Sequence, residues 1–127
     1  MGIEIRLMQV EDCRKPPVGA FLIDSKWPAG WPRAAIAADH WLPRVLPTPE
    51  LVAWMRYQPL RWPTFCEVYW SDMGSNPLRW QPLLRAMQQG TLVLLHAGEA
   101  DEHSPERALV LFLQARYREW DGAPVAA

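Results

Sequence analysis

Two short runs of the chain, Ala20 to Ile23 and Leu92 to Leu95, are apolar at every position. A strand with one wet face alternates polar and apolar residues. A run without alternation needs cover on both faces. Between the two runs, proline-marked helix starts are followed by apolar stripes at three- and four-residue spacing, so the connection reads as helices rather than a hairpin. Strands joined through helices pair in parallel, because only a long crossover can carry the chain back to the same end of the sheet. The chain is therefore expected to be an α/β protein, a single domain with a small, mainly parallel sheet flanked by helices. Ligands of such sheets sit outside the carboxyl ends of the strands. The two runs end in Asp24 and His96, which makes that end the place to look for chemistry.

Ile3 to Val10 alternates and reads as a first strand, with Gly19–Asp24 and Thr91–Leu95 as the second and third. Asp39 is placed to cap a short helix carrying Trp41, Leu42 and Val45, which Pro43 and Pro47 keep short. Thr48-Pro49-Glu50 is a helix start: a hydroxyl cap, a proline in the first turn and an acid near the positive end. Trp62, Phe65, Cys66, Tyr69 and Met73 form the apolar stripe of a helix over residues 60–73. Asn76-Pro77 and Ser104-Pro105-Glu106 repeat the cap-and-proline pattern and open two more helices. The expected order is β-β-α-α-α-β-α, with the domain over residues 1–121 and a loose tail at 122–127.

The length of 127 residues suits one domain, and half the residues are hydrophobic, enough for a core. A net charge of −1 without a basic block argues against nucleic-acid binding. No apolar run approaches the ~20 residues that cross a bilayer, and the first residues lack a signal-peptide core. The cytoplasm is the expected location, and no cofactor is expected. Cys66 reads as a small core residue, and Cys13 as an exposed residue of a polar turn. Eight tryptophans among 127 residues are unusual. They either pack between short helices or, left half exposed, form a surface for a partner or a second copy.

The candidate catalytic residues are Asp24, His96 and Glu99. Adjacent parallel strands would bring Asp24 close to the other two, and a carboxylate beside an imidazole is an acid–base pair. The plainer reading of Asp24 is a cap on the turn that follows it. Trp27 and Trp31 either wall a ligand pocket or pin their proline-rich loop. The start of the last helix, at His103 and Ser104, offers free N–H groups to an anion, although acidic residues crowd it. His96, Glu99, Asp101, Glu102 and His103 match no metal motif in spacing and read as a solvated loop. His40 reads as a partly exposed surface residue.

The string Asp24-Ser25-Lys26-Trp27-Pro28-Ala29-Gly30 resembles the Asp-Arg-Leu-Trp-Pro-Arg-Gly signature of short bacterial proteins in domain-of-unknown-function family 488. Trp41-Leu42, Pro47-Thr48-Pro49-Glu50-Leu51 with Trp54, Pro59-Leu60-Arg61-Trp62 with Phe65 and Tyr69, and the strand end at His96-Ala97 follow in the family's order. The resemblance covers nearly the whole chain. Its departures fall on the signature itself: Ser25 and Ala29 stand where the family has arginine, and Glu99 where it has a basic residue. If the family site grips an anion with those arginines, only Lys26 and Arg33 remain here, and lysine lacks the bidentate fork of arginine. Longer relatives place a cysteine where His96 stands, so a cysteine nucleophile does not carry over. Two functions are expected. One is a small-ligand site at the strand ends, enzymatic or not, formed by Asp24, His96 and Glu99 with Lys26, Trp27, Arg33, His103 and Ser104. The other is a non-catalytic module whose tryptophan-rich surface binds itself or another protein.

Overall fold

A computed structural model describes residues 4–13, 15–98 and 101–120. Three strands, β1 (Ile5–Gln9), β2 (Phe21–Leu22) and β3 (Leu92–His96), form one sheet in the order β1-β3-β2. Both pairings are parallel, with Ile5 opposite Leu92, Leu7 opposite Leu94 and Phe21 also opposite Leu94. The last strand in sequence is thus the central one. The described residues also form four α-helices: α1 (Pro49–Met55), α2 (Trp62–Gly74), α3 (Gln81–Met87) and α4 (Pro105–Trp120). The order of elements and the parallel sheet are those expected from the sequence. The tail at 122–127 and the start of the first strand at Ile3 lie outside the described residues.

The sheet divides the apolar residues by the pleat. Ile5, Leu7, Phe21, Ile23, Leu92 and Leu94 face the helices and join one core with Met55, Phe65, Tyr69, Met73, Leu83 and Leu113. Met8, Leu22, Val93 and Leu95 face the other way, into a smaller cluster with Cys13, Ile36, Trp27, Trp31 and Trp41. Helices were expected to cover both faces. All four lie on one face, and a tryptophan-bearing loop takes the second. Trp27 Nε1 donates to the Trp31 carbonyl at 3.0 Å and Trp41 Nε1 to the Asp24 carbonyl at 2.8 Å, so each ring lies flush against apolar residues while its N–H stays paired.

Several local readings shift. β2 is shorter than Gly19–Asp24, because Pro17, Gly19 and the Asp24 turn confine its ladder. The helix expected after Asp39 is a 3₁₀ turn, Ala38–His40, and Trp41 instead forms a parallel bridge with Leu22. Pro43 explains this: it has no N–H to give a helix, and it biases the residue before it toward extended backbone. Asn76 does not cap a helix; its side-chain amide donates to the Asp72 carbonyl, Pro77–Arg79 is a 3₁₀ turn, and α3 starts at Gln81. The two hydroxyl caps are present. Thr48 Oγ1 accepts from Leu51 N at 3.3 Å, and Ser104 Oγ from Arg107 N at 3.2 Å. Cys13 is buried, not exposed, because the turn carrying it folds under the second face. Cys66 is a core residue as expected, and burial pushes its thiol up to about 11.

Leu94 belongs to the central strand and is fully buried, whereas Leu78 is 83% exposed on the turn before α3. Leu94→Ala should cost about 2–5 kcal/mol in a urea melt, and Leu78→Ala no more than about 0.5 kcal/mol. Comparable losses at the two positions would contradict this placement of the core.

Candidate functional site

The two apolar strands leave the sheet side by side. Ile23 N donates to the Leu95 carbonyl at 2.9 Å, one step beyond the Leu22–Leu95 pair, so Asp24 emerges beside the exit of β3. The end of β1 joins them. Gln9 Nε2 donates to the Gly98 carbonyl at 2.6 Å, and Gly98 N donates to Glu11 Oε1 at 3.3 Å. Gly98 has a φ of 73°, a left-handed turn that glycine adopts without strain and that bends the chain away from β3.

His96, the last residue of β3, is 2% exposed. Its partner in electrostatics is Glu106, in the first turn of α4, which is also buried. Burial is the largest influence on Glu106 and raises its carboxyl above the usual range, and the Asp24 carboxylate adds to the rise. Its own backbone N–H, His96 and the Ser104 hydroxyl pull the other way, and burial outweighs them. The strand ends therefore bring together Asp24, His96 and Glu106, whereas the expected third member, Glu99, lies outside the described residues. The sequence did hold a signal for Glu106. The helix that follows a strand in a parallel sheet begins at the ligand end, so an acid in its first turn faces the crevice. In sequence it reads as a helix-start acid and as one of the acids that crowd Ser104 and repel an anion.

Asp24 is half-buried and already engaged. Its Oδ1 accepts from Lys26 N at 3.2 Å, and its carbonyl accepts from Trp41. It thus closes the turn, as its plainer reading required, and no direct contact with His96 is needed to hold it. Trp27 and Trp31 pin their loop to the sheet. The Arg33 guanidinium lies over the Trp27 ring, 5.4 Å from its centroid, and Lys26 is exposed. The His103 ring packs on Trp62 at 5.0 Å. Ser104 caps α4 and donates to the Asp101 carbonyl at 3.0 Å. His40 is half-buried, its ring stacked on Phe21 at 4.1 Å. Among the described residues, no three His, Cys, Asp or Glu side chains are grouped to hold a metal ion.

Beside Asp24 the surface opens into a hollow of about 550 Å³, between the turn after β2, the segment leading into α1 and α1 itself. Arg44, Arg56 and Arg79 line it together with Thr48 and Val52. A second hollow of about 350 Å³ lies on the far side of α1 and reaches His103 and Ser104, with Val52 and Arg56 shared between the two. No sequence motif contains the three arginines. They come from three separate segments, and only the tertiary fold joins them. No helix among the described residues is long and apolar enough to cross a membrane.

The chemical scope of the strand ends is narrow. A buried carboxyl and a buried imidazole stand at the strand ends, but the Ser104 hydroxyl is spent on the α4 cap and no thiol among the described residues stands in the group. The Glu106 carboxylate also accepts from its own N–H, and so occupies part of the helix end where an anion would sit. The sequence profile described as the inactive DUF488-N3 subclade matches residues 4–126. No curated protein and no solved structure matches the chain.

The raised Glu106 carboxyl has a defined effect on stability. The folded state binds its proton more tightly than the unfolded chain, where the group keeps the ordinary value near ~4.3. Its stabilising contribution is complete below that value and is lost as pH rises through the folded value. Chemical denaturation of the wild type against Glu106→Gln should show the variant losing less stability over that rise, and standing at or above the wild type once Glu106 is ionised. A variant that follows the wild type in parallel at all pH values would show that Glu106 is not held in this way.

Proposed function

Because the chain belongs to the DUF488 family, in the subclade described as inactive, we propose that it binds a small ligand at the carboxyl ends of its strands without transforming it. The observation that carries this reading is the division of labour around Asp24. On one side stand His96 and Glu106, both buried, with the nearby Ser104 hydroxyl engaged at the α4 cap and the α4 end already taken by a carboxylate. On the other side is an open hollow of about 550 Å³, within the range of small-molecule sites. Ser25 and Ala29, where the family signature has arginine, leave the turn with Lys26 and without a bidentate guanidinium. What remains suited to binding is the wall supplied by α1 and the segment before it.

A second reading keeps one specific observation in its favour. Tyr57 and Leu60 are 89% and 96% exposed, close in sequence to Trp54, which is 40% exposed with Arg61 over its ring at 4.8 Å. Tyr57 holds a φ of 61°, a conformation that is strained for a bulky residue. This corner, rather than the tryptophans as a set, is the surface that would meet a partner or a second copy. Four of the indole N–H groups, those of Trp27, Trp41, Trp70 and Trp80, are used within the fold.

A thermal-shift panel of nucleotides, organic acids and sugar phosphates tests the first reading. At least one compound should raise the melting temperature and be recovered unchanged after incubation. Ala53→Trp, at an exposed α1 position lining the hollow, should abolish the shift while leaving the ligand-free melting temperature within a few degrees. Conversion of a compound, lost in His96→Ala, would overturn the non-catalytic reading. A shift that survives Ala53→Trp would move the site elsewhere.

A further inference from the structure

We propose that Arg44, Arg56 and Arg79 form an oxyanion subsite in the hollow beside Asp24, and that its ligand is a small organic oxyanion with a hydrogen-bond donor at its other end. The inference rests on the reading that this hollow is the binding site, and it adds the ligand's chemical class.

Charge is the first argument. The chain carries 13 basic and 14 acidic residues, so an average patch of its surface is close to neutral. Here three guanidiniums line one hollow; Asp72 neutralises Arg79, and Arg44 and Arg56 face the single lining carboxylate of Asp24. The two without a counter-ion leave an excess of positive charge in the hollow, which a bound oxyanion relieves. Arg44 and Arg56 form no ion pair among the described residues. Both forks are therefore free to bind.

Geometry is the second argument. Arg79 is partly buried, and its Nη1 is held by Asp72 Oδ2 at 2.8 Å. That contact fixes the fork and leaves its other N–H groups for a ligand, so one of the three cations is positioned before binding. Arg44 and Arg56 approach from the segment before α1 and from the end of α1. Arginine pairs with carboxylate and phosphate through two parallel N–H···O bonds, a geometry that a lysine cluster does not offer.

The lining gives the rest of the ligand. Leu46, Pro47, Pro49 and Val52 provide an apolar wall, so the oxyanion sits on an organic body rather than arriving as a bare ion. Asp24 has Oδ1 committed to Lys26 N, which leaves Oδ2 to accept from a hydroxyl or amine. It repels a second anion at that end. The expected ligand is thus polarised, anionic toward the arginines and donating toward Asp24.

Phosphate and carboxylate share the required chemistry, and calorimetric titration with 4-hydroxyphenyl phosphate and 4-hydroxybenzoate separates them, with hydroquinone as the uncharged control. Both oxyanions should bind, the phosphate more tightly because it carries more charge, and both more weakly as salt is raised. Arg44→Gln and Arg56→Gln should each weaken binding on the order of tenfold. Arg44→Lys should recover only part of the loss. Arg85→Gln, in a separate hollow at the other end of the sheet, should leave affinity unchanged. Oxyanion binding that is indifferent to the Arg44→Gln, Arg56→Gln double variant would overturn the subsite. Hydroquinone binding as tightly as the oxyanions, and lost in Ala53→Trp, would overturn the oxyanion class while leaving the hollow as a binding site. Failure of all three probes to bind would overturn the subsite, and the ligand panel with Ala53→Trp would then decide whether the hollow binds anything.

Discussion

The rest of the molecule depends on β3 being hydrogen-bonded along both edges. β1 runs along one edge of β3, β2 pairs with the other at Leu94 and Leu95, and an apolar layer packs on each face, which is why Leu92, Leu94 and Leu95 are all at or below 1% exposure. The pairing also sets the geometry at the far end. Because β1 and β2 both run in the direction of β3, all three strands finish on the same side, and the residues after them meet there. Asp24, His96, Gly98 and the first turn of α4 are neighbours through this pairing and not through any attraction among themselves. Two of them repel: the Asp24 carboxylate raises the Glu106 carboxyl.

The sheet is finished in two different ways. Toward the helices it is covered by regular elements whose apolar stripes match its own. On the opposite face the covering is a loop, and a loop carries backbone groups that must be satisfied. Tryptophan solves this locally. Each ring buries a large apolar face, and its single N–H answers a carbonyl that the irregular backbone leaves open, as Trp27 does for Trp31 and Trp41 for Asp24. Trp70 and Trp80 do the same between helices, donating to the carbonyls of Ala108 and Met73. These four tryptophans thus serve as packing devices in a small domain with little regular structure on one side.

Much of the fold was legible in the sequence, because the signals were short-range. The apolar runs at Ala20–Ile23 and Leu92–Leu95, the caps at Thr48 and Ser104, and the stripe from Trp62 to Met73 each declare an element without reference to the rest. Misreadings arose where a tertiary partner intervened. Asn76 looks like a cap, but Asp72 one turn back takes its amide. Cys13 looks exposed until the loop over the second face closes on it. The site was legible in the same proportion. Asp24 and His96 stand at strand ends and can be named from the pattern. Arg44, Arg56 and Arg79 stand in no common pattern, and only folding collects them. Glu106 fell between these cases, since its position was readable and its burial was not.

The two thiols lie in different layers, Cys66 among the helices and Cys13 under the tryptophan loop, with the sheet between them. A disulfide needs α-carbons within about 7 Å, so oxidation of the native protein cannot staple them together. Each is instead a private reporter of its own layer. A thiol-reactive dye reaches Cys13 only when the indole lid lifts and Cys66 only when the helical side parts, so two labelling rates read the opening of two halves of one small domain.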